Sequence, residues 1–540
     1  MTERTIVIAD PPTPNGDLHV GHLAGPYFTA DALTRSLRLR GKRVAFLSNF
    51  DSNQPYVATA ARKLGMGIDE IRGHFTGRIA ASLAANAIEP DLIGSPDARQ
   101  SAFVQRFFGD LHARGKLAVK DHPMPYCETC DRFLFEAYLQ GTCPHCGALT
   151  YGNGCEGCSL PNDPAEMGDR LCRLCGEPPA GLRTYRGLFL PLERYRAELT
   201  ALLRSRAGRS AGCNRQQALD LVLAALERPL PDVPLSYVSD YGLGVEIPGL
   251  AGQIYNVRQE IQPALVATFD RWRAAQPGGG WDWRDGEPYE TVVCHGYENS
   301  FQYMLSFNAL LLASPLGWKP PYADLTNEFY LLDGKKFSTT RRHAVWGADI
   351  LARVPSDHLR FYLALTNPEC EQTNFALAEF REATDRLLTG PWNEVARRLG
   401  TALARRRSRA RAAALPDGFA ERRAGFAAEM AAAYDVDTFS LRRAAAATAG
   451  WLAALAAEAA ALEAGGDAER AERGLAAVLA GTRALALFAA PLMPRWTARL
   501  RERLGIADCW DRYAQPLDPR AVRWGEGLCL PPLADVDLSF

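Results

Sequence analysis

The sequence has almost no net charge. Its 61 Lys and Arg residues are balanced by 62 Asp and Glu residues, a formal net charge of −1. It therefore lacks the global basic field that draws a protein onto nucleic acid, and such a partner would have to be met by locally concentrated cations. Long apolar runs are also missing. No stretch reads as the ~20 consecutive apolar residues that a membrane span needs. The start, Met1 to Ile8, lacks the apolar core of a signal peptide. No membrane partner and a cytoplasmic location are expected. Internal repeats of fixed period are absent. Cysteine, by contrast, is plentiful: thirteen in a chain read as cytosolic point to metal rather than to disulfides.

A chain of 540 residues is too long for one core, and roughly two to four domains are expected. The β-branched run Thr5-Ile6-Val7-Ile8 ends at Asp10-Pro11-Pro12 and reads as a buried first strand stopped by prolines. Helical spacing follows Gly16 up to Leu37, and Arg43 to Phe50 reads as a second strand. Strand, helix, strand opens a parallel α/β sheet. Residues 117–185 are rich in Cys, Gly and Pro and need another source of stability, which bound metal supplies. Thr291 to Gly296 reads as a further buried strand ending in a turn. From about Ala376 to Cys509 the chain is rich in Ala, Leu and Arg at helical spacing, as in a helical bundle.

Two short motifs carry the chemistry. The first is Pro11-Pro12-Thr13-Pro14-Asn15-Gly16-Asp17-Leu18-His19-Val20-Gly21-His22. A proline-rich turn leading from a strand into a helix start suits a phosphate, which helix N-termini favour. His19 and His22 would donate to phosphate oxygens as charge builds on the transferring phosphorus. Gly21 would let a nucleotide approach the backbone. The second motif is Asp333-Gly334-Lys335-Lys336-Phe337-Ser338-Thr339-Thr340, followed by Arg341-Arg342. Cations and hydroxyls on a loop suit a clamp on a triphosphate. Between the motifs lie four Cys-x-x-Cys pairs, Cys127/Cys130, Cys143/Cys146, Cys155/Cys158 and Cys172/Cys175. Eight thiols at this spacing suit two tetrahedral zinc sites of structural type, with no open coordination position.

Together these motifs resemble the nucleotide-binding signatures of class I aminoacyl-tRNA synthetases, and the four cysteine pairs resemble the methionyl branch of that class. The resemblance implies an α/β fold. A Rossmann-like parallel-sheet catalytic domain (residues 1–114 and 191–375) would be split by a zinc-knuckle insertion (115–190). An all-α, anticodon-binding-like helical bundle (376–540) would follow. It implies ATP with Mg2+, and two structural Zn2+ in nested pairing: Cys143, Cys146, Cys155 and Cys158 for one, Cys127, Cys130, Cys172 and Cys175 for the other. Lys336 and Ser338 would join His19 and His22 in stabilising phosphate charge. Pro12, Asn15, Gly296, Glu298, Lys335, Phe337 and Thr339 would complete the nucleotide site. Thr339 stands where the family carries its second loop lysine; either Lys335, Arg341 or Arg342 takes that role, or adenylate forms more slowly.

The departures from the family fall on the amino-acid pocket. Thr13 replaces an aromatic residue beside the proline. The family pattern Tyr-Val-Trp-Leu-Asp-Ala-Pro is here Tyr255-Asn256-Val257-Arg258-Gln259-Glu260-Ile261, and Gly-Lys-Asp-Ile-x-x-Phe-His is Gly296-Tyr297-Glu298-Asn299-Ser300-Phe301-Gln302-Tyr303. Arg258, Glu260, Asn299 and Gln302 would leave polar groups unpaired around a thioether, which wants an apolar, polarisable pocket. With Thr13, Val257 and Tyr303 they suit a polar, charged or very small amino acid. Asp51 is retained to hold the substrate ammonium. The helical tail lacks the family's anticodon-reading tryptophan. Stacking on bases needs aromatics, and the main candidates, Trp392 and Trp451, read as core anchors. tRNA is thus a weak expectation.

The leading expectation is an ATP-dependent ligase that activates an amino acid other than methionine as its adenylate. It would pass the acyl group to a small nucleophile such as an N-hydroxylated amino acid, as in the synthetase-like modules of hydrazine-forming enzymes that the chain resembles. The ester would rearrange to an N–N bond on a separate cupin-type protein, since no such segment is visible here. The alternatives are a divergent methionine–tRNA ligase and a catalytically inactive tRNA- or protein-binding paralogue.

Overall fold

The computed structural model describes residues 2–207, 213–337, 343–406, 413–462, 468–525, 527–534 and 536–538. They form two compact units. The first comprises Met1–Asp17, Ala45–Ala81 and Pro90–Glu328; the second comprises Leu18–Val44, Ser82–Glu89 and Phe329–Phe540.

The first unit is built on a five-stranded sheet. Its strands are β1 (Arg4–Ala9), β2 (Arg43–Asn49), β3 (Leu92–Gly94), β4 (Glu290–Gly296) and β5 (Ala323–Asn327), in the spatial order β5-β4-β1-β2-β3. β1 pairs in parallel with β4, β4 with β5, and β2 with β3. The buried, branched side chains of β1 and β4 agree with a sheet covered on both faces. Helices Ala98–Ala113, Val257–Ala274 and Phe307–Ala313 contribute Phe108, Leu265, Phe269 and Leu310 to the core beside Ile6, Ile8 and Leu47. The strand order reverses between β1 and β4. In such a sheet a ligand binds outside the carboxyl ends of the strands at this reversal. The segments just after Ala9 and Gly296 are therefore where the site is to be sought.

The cysteine-rich stretch leaves this sheet on the long antiparallel pair Ala118–Cys127 and Gly181–Pro191, with Arg132–Phe133 and Asp232–Pro234 on its flanks. A three-stranded sheet of Leu139–Thr142, Leu149–Tyr151 and Gly168–Cys172 lies beyond it. Met124, Phe135, Tyr138, Met167 and Tyr237 form its small separate core.

The second unit is mainly helical. Arg360, fully buried, is its central node: the guanidinium donates to Asp31 and to the carbonyls of Asn86, Ala87, Pro491 and Leu492. The helix Leu441–Ala461 is long and apolar enough to cross a membrane by length and composition, with a mean hydropathy of 1.3. Arg442, Arg443 and Glu458 interrupt it, so it holds no unbroken apolar run of spanning length. In the fold it packs against helices Ser356–Leu365, Gly390–Arg406, Phe419–Ala433 and Ala468–Phe488. Trp451 donates from Nε1 to the Gly481 carbonyl at 3.1 Å and stacks on Phe426. Trp392 is fully buried and donates to the Leu528 carbonyl at 2.6 Å. Both indoles are core anchors, as the sequence suggests.

Candidate functional site

In the first unit, the carboxyl end of β1 delivers Asp10, and β4 ends in His295 and Gly296. Asp10 accepts a bond from the Tyr303 hydroxyl and one from Asn299 Nδ2 at 2.9 Å. The Tyr303 ring stacks on His295 at 4.6 Å. His295 faces Asp324 at 3.4 Å, and Asp324 accepts from buried Arg206 at 2.6 Å. Burial raises Asp10 above the usual carboxylate range, against the hydrogen bonds from Tyr303 and Asn299. Asn299 and Tyr303 were expected to face substrate; the structure shows both engaged with Asp10. The sequence reading passed over Asp10, although an acid immediately after a first strand, at a sheet reversal, is a signal that could have found it.

Glu298 folds back over Gly296, where an added Cβ would meet its carboxylate at 2.3 Å. Burial raises Glu298 to about 7. Asn15, expected near ribose or base, is exposed at a turn closed by its N–H on the Thr13 carbonyl. Pro12 is buried, and its carbonyl accepts from the Asp51 N–H at 3.1 Å.

The helix Val257–Ala274 starts at Asn256, whose side chain accepts from the Arg258 N–H. Its first turn brings three rebuilt positions together. Val257 is buried where the family pattern has Trp. Arg258 donates from Nε to both oxygens of Glu136, at 3.0 and 3.1 Å, and from Nη1 toward Gln302 at 3.4 Å. Gln302 returns a bond to the Arg258 carbonyl at 2.8 Å. Glu136 belongs to the cysteine-rich insertion and is 1% exposed; nothing in the sequence near Arg258 announces it. Glu260 accepts from Asn53 at 2.7 Å. Burial, with Asp51 nearby, raises Glu260 to about 8. Asp51 is raised by burial to about 7, and Thr13 Oγ1 lies 3.5 Å from it. A cleft lined by His122, Asn162, Asp163, Gln259, Glu298 and Gln302 adjoins these residues. This side of the site sets buried carboxylates beside the Arg258 guanidinium, which lines the same cleft.

In the second unit, His19 caps the helical run that begins at Val20. His19 Nδ1 accepts from the His22 N–H at 3.3 Å, and His22 Nδ1 from the His19 N–H at 3.2 Å. The two rings stack at 3.7 Å, and Phe337 stacks on His19 at 4.3 Å. A Cβ on Gly21 would meet both His19 and Phe337 at 3.0 Å, so glycine is required by this packing. The Val20 N–H donates to Val345, and the Gly347 N–H to Leu18. The segment after the second motif is thereby fastened to the first. Burial, with His22 beside it, pushes His19 far below the usual range and keeps the imidazole neutral. Lys335 and Lys336 stand on a hairpin whose turn, Asp333-Gly334, has φ of +47° and +75°, as a two-residue Asp-Gly turn requires. Lys336 Nζ lies 3.8 Å from the Phe329 ring centroid. Ser338 and Thr339, with Thr340, Arg341 and Arg342, lie outside the described residues.

The cysteines gather in two groups, Cys127, Cys130, Cys172 and Cys175, and Cys143, Cys146, Cys155 and Cys158, with all sulfurs of a group within 4.8 Å of one another. These groups coincide with the nested pairing. Sγ separations of 3.5 and 3.9 Å in the first and 3.6 and 3.9 Å in the second match the ~3.8 Å edge of a tetrahedron with ~2.3 Å metal–sulfur bonds. Each group could hold a metal ion.

A family model described as tRNA synthetases class I (M) matches residues 6–399. A methionine–tRNA ligase of Thermomicrobium roseum is 30% identical over 407 residues, covering 74% of this chain and 68% of that protein. One from Pyrobaculum calidifontis is 28% identical over 375 residues, covering 68% and 65%. The fold is similar to that of the Mycobacterium tuberculosis methionyl-tRNA synthetase bound by methionyl-adenylate, with a TM-score of 0.72, 18% identity and 98% of each chain covered.

Proposed function

The chain belongs to the class I tRNA synthetases and is an ATP-dependent ligase of that family; on that premise we propose that it activates an amino acid other than methionine, polar or small, and transfers it to a non-tRNA nucleophile. The observation that carries this reading is the Asp10–Asn299–Tyr303 network with the Arg258–Glu136 pair. Polar groups replace the apolar surroundings that a thioether needs.

In the proposed reaction the amino-acid carboxylate attacks the α-phosphorus of ATP. Aminoacyl-AMP forms and pyrophosphate leaves. His19, His22, Lys336 and Ser338 stabilise the phosphate charge, with Lys335, Phe337 and Thr339 completing that surface. Pro12, Asn15, Gly21, Gly296 and Glu298 hold the nucleoside. Asp51 takes the substrate ammonium, and the side chain meets Thr13, Val257, Arg258, Glu260, Asn299, Gln302 and Tyr303. Neutral His19 donates without adding charge. Positioning and electrostatics supply the rate, and no covalent nucleophile is required. Mg2+ would accompany ATP, and each cysteine group would hold a structural Zn2+. The acceptor is an N-hydroxylated amino acid or a similar N-hydroxy amine, whose hydroxyl oxygen takes the acyl group as AMP leaves, and a separate cupin-type protein would convert the ester. The burial of Trp392 and Trp451 supports a non-tRNA acceptor, since neither indole is available for stacking on bases.

Amino-acid-dependent ATP–pyrophosphate exchange, with and without tRNA and hydroxylamines, tests the proposal. Exchange with a non-methionine amino acid, followed by acyl transfer to a hydroxylamine but not to tRNA, is expected. Exchange with methionine and charging of tRNA would establish the second reading, a methionine–tRNA ligase, which the names of the relatives favour.

A further inference from the structure

Building on the amino-acid-activation reading, we propose that the activated amino acid carries a cationic side chain and that Glu260 is the residue that selects it. Glu260 is 4% exposed and Asp51 7%. Glu260 Oε1 accepts from Asn53, but Oε2 has no hydrogen-bond partner among the described residues, and neither has Asp51 Oδ1. Gln54 Oε1 and Gln259 Oε1, also buried, are open in the same way. With both carboxyls ionised, every one of these open atoms is an acceptor. Buried acceptors are matched by donors in folded proteins, and a second acceptor cannot serve as one. A ligand bound against the two ionised carboxylates would bring N–H donors and positive charge.

The neighbouring guanidinium does not meet that need. Arg258 is engaged by both oxygens of Glu136 and by Gln302. Its Nε and Nη1 are thereby committed away from Glu260, and it does not neutralise that carboxyl. One α-ammonium supplies a single charge, and Asp51 takes it in the reading above. Methionine, glycine or alanine would then leave Glu260 Oε2 as found, an acceptor buried without a donor. Lysine, ornithine or arginine would place a second cation there. Asn53 holds the other oxygen and fixes the carboxylate, so it acts as a positioning residue. The raised positions of Asp51 and Glu260, caused first by burial, agree with carboxylates awaiting a cation.

The test combines pyrophosphate exchange over a panel of lysine, ornithine, arginine, glycine, alanine, serine, glutamate and methionine with calorimetric binding of the same amino acids. Wild type, E260Q and E260D are compared, all as full chains. The expected result is a preference of at least tenfold for a cationic amino acid. E260Q should lower kcat/KM for that substrate at least tenfold, and E260D should restore part of the loss. Exchange with a neutral small or acidic amino acid in preference to the cationic ones would overturn this inference and leave the activation reading standing. Methionine alone would overturn both. If no amino acid supports exchange, the activation reading fails by itself and binding decides. Lysine or ornithine bound by wild type and lost in E260Q upholds the assignment; no such binding ends it.

Discussion

Glu136 and Arg258 show how a buried charge is made tolerable. A carboxylate that is 1% exposed is costly to hold ionised, and two bonds from Arg258 Nε compensate it. Removing one partner leaves the other uncompensated, so E136A should lower unfolding free energy by about 3 kcal/mol, measured by urea denaturation. The same variant frees Arg258, and exchange with glutamate should rise relative to wild type. Gly21 offers a test in the other unit. Its alanine variant must displace His19 or Phe337, each 3.0 Å from the added carbon. Exchange should fall at least tenfold with melting temperature nearly unchanged. The sequence made Gly21, His19 and His22 legible because they lie in one short run. It gave no sign of Glu136, whose partner is 122 residues away, because nothing local encodes a cross-element ion pair.

Among the elements, the cysteine-rich insertion was readable because ligand spacing is a local property, and the two sulfur groups match it. The groups differ in surroundings. Cys127 and Cys172 belong to the small core with Phe135, Tyr138 and Tyr237, whereas Cys146 is exposed. The purified protein should carry two zinc ions per chain by elemental analysis. C172S should lower thermal stability more than C146S, because it opens the core as well as a ligand shell. The helix Leu441–Ala461 was less legible. Alanine gives it high hydropathy with little bulk, and composition alone does not tell a core helix from a span. Its packing against four other helices is a tertiary fact.

For the molecule as a whole, the parallel α/β sheet is legible in the strand–helix–strand pattern at its start, whereas the strand order and its reversal between β1 and β4 are seen only in the fold. The grouping of Leu18–Val44 and Ser82–Glu89 with the helical tail is likewise seen only there. That grouping rests on Arg360, which gathers Asp31, Asn86, Ala87, Pro491 and Leu492 from distant parts of the chain. Protonation links the site to global stability. Burial raises Asp51 and Glu298 to about 7 and Glu260 to about 8. A carboxyl with a raised folded-state value favours folding while it is protonated. Its contribution is complete below the ordinary carboxylate range of about 4 and is lost as pH rises through 7 to 8. The unliganded protein should therefore melt at progressively lower temperature from about pH 4 to pH 8 and change little from this cause above that. A cationic amino acid should bind more tightly over the same interval, releasing protons that calorimetry in buffers of different ionisation enthalpy will count.

The reach of Glu136 from the insertion to Arg258, in the proposed amino-acid pocket, bears on how such proteins can be recombined. Grafting the helix Val257–Ala274 alone into a relative would bury a guanidinium with no counter-ion. Grafting the insertion alone would bury an orphan carboxylate. The two segments form one heritable module, and substrate preference should travel between homologous scaffolds only when both are transplanted together.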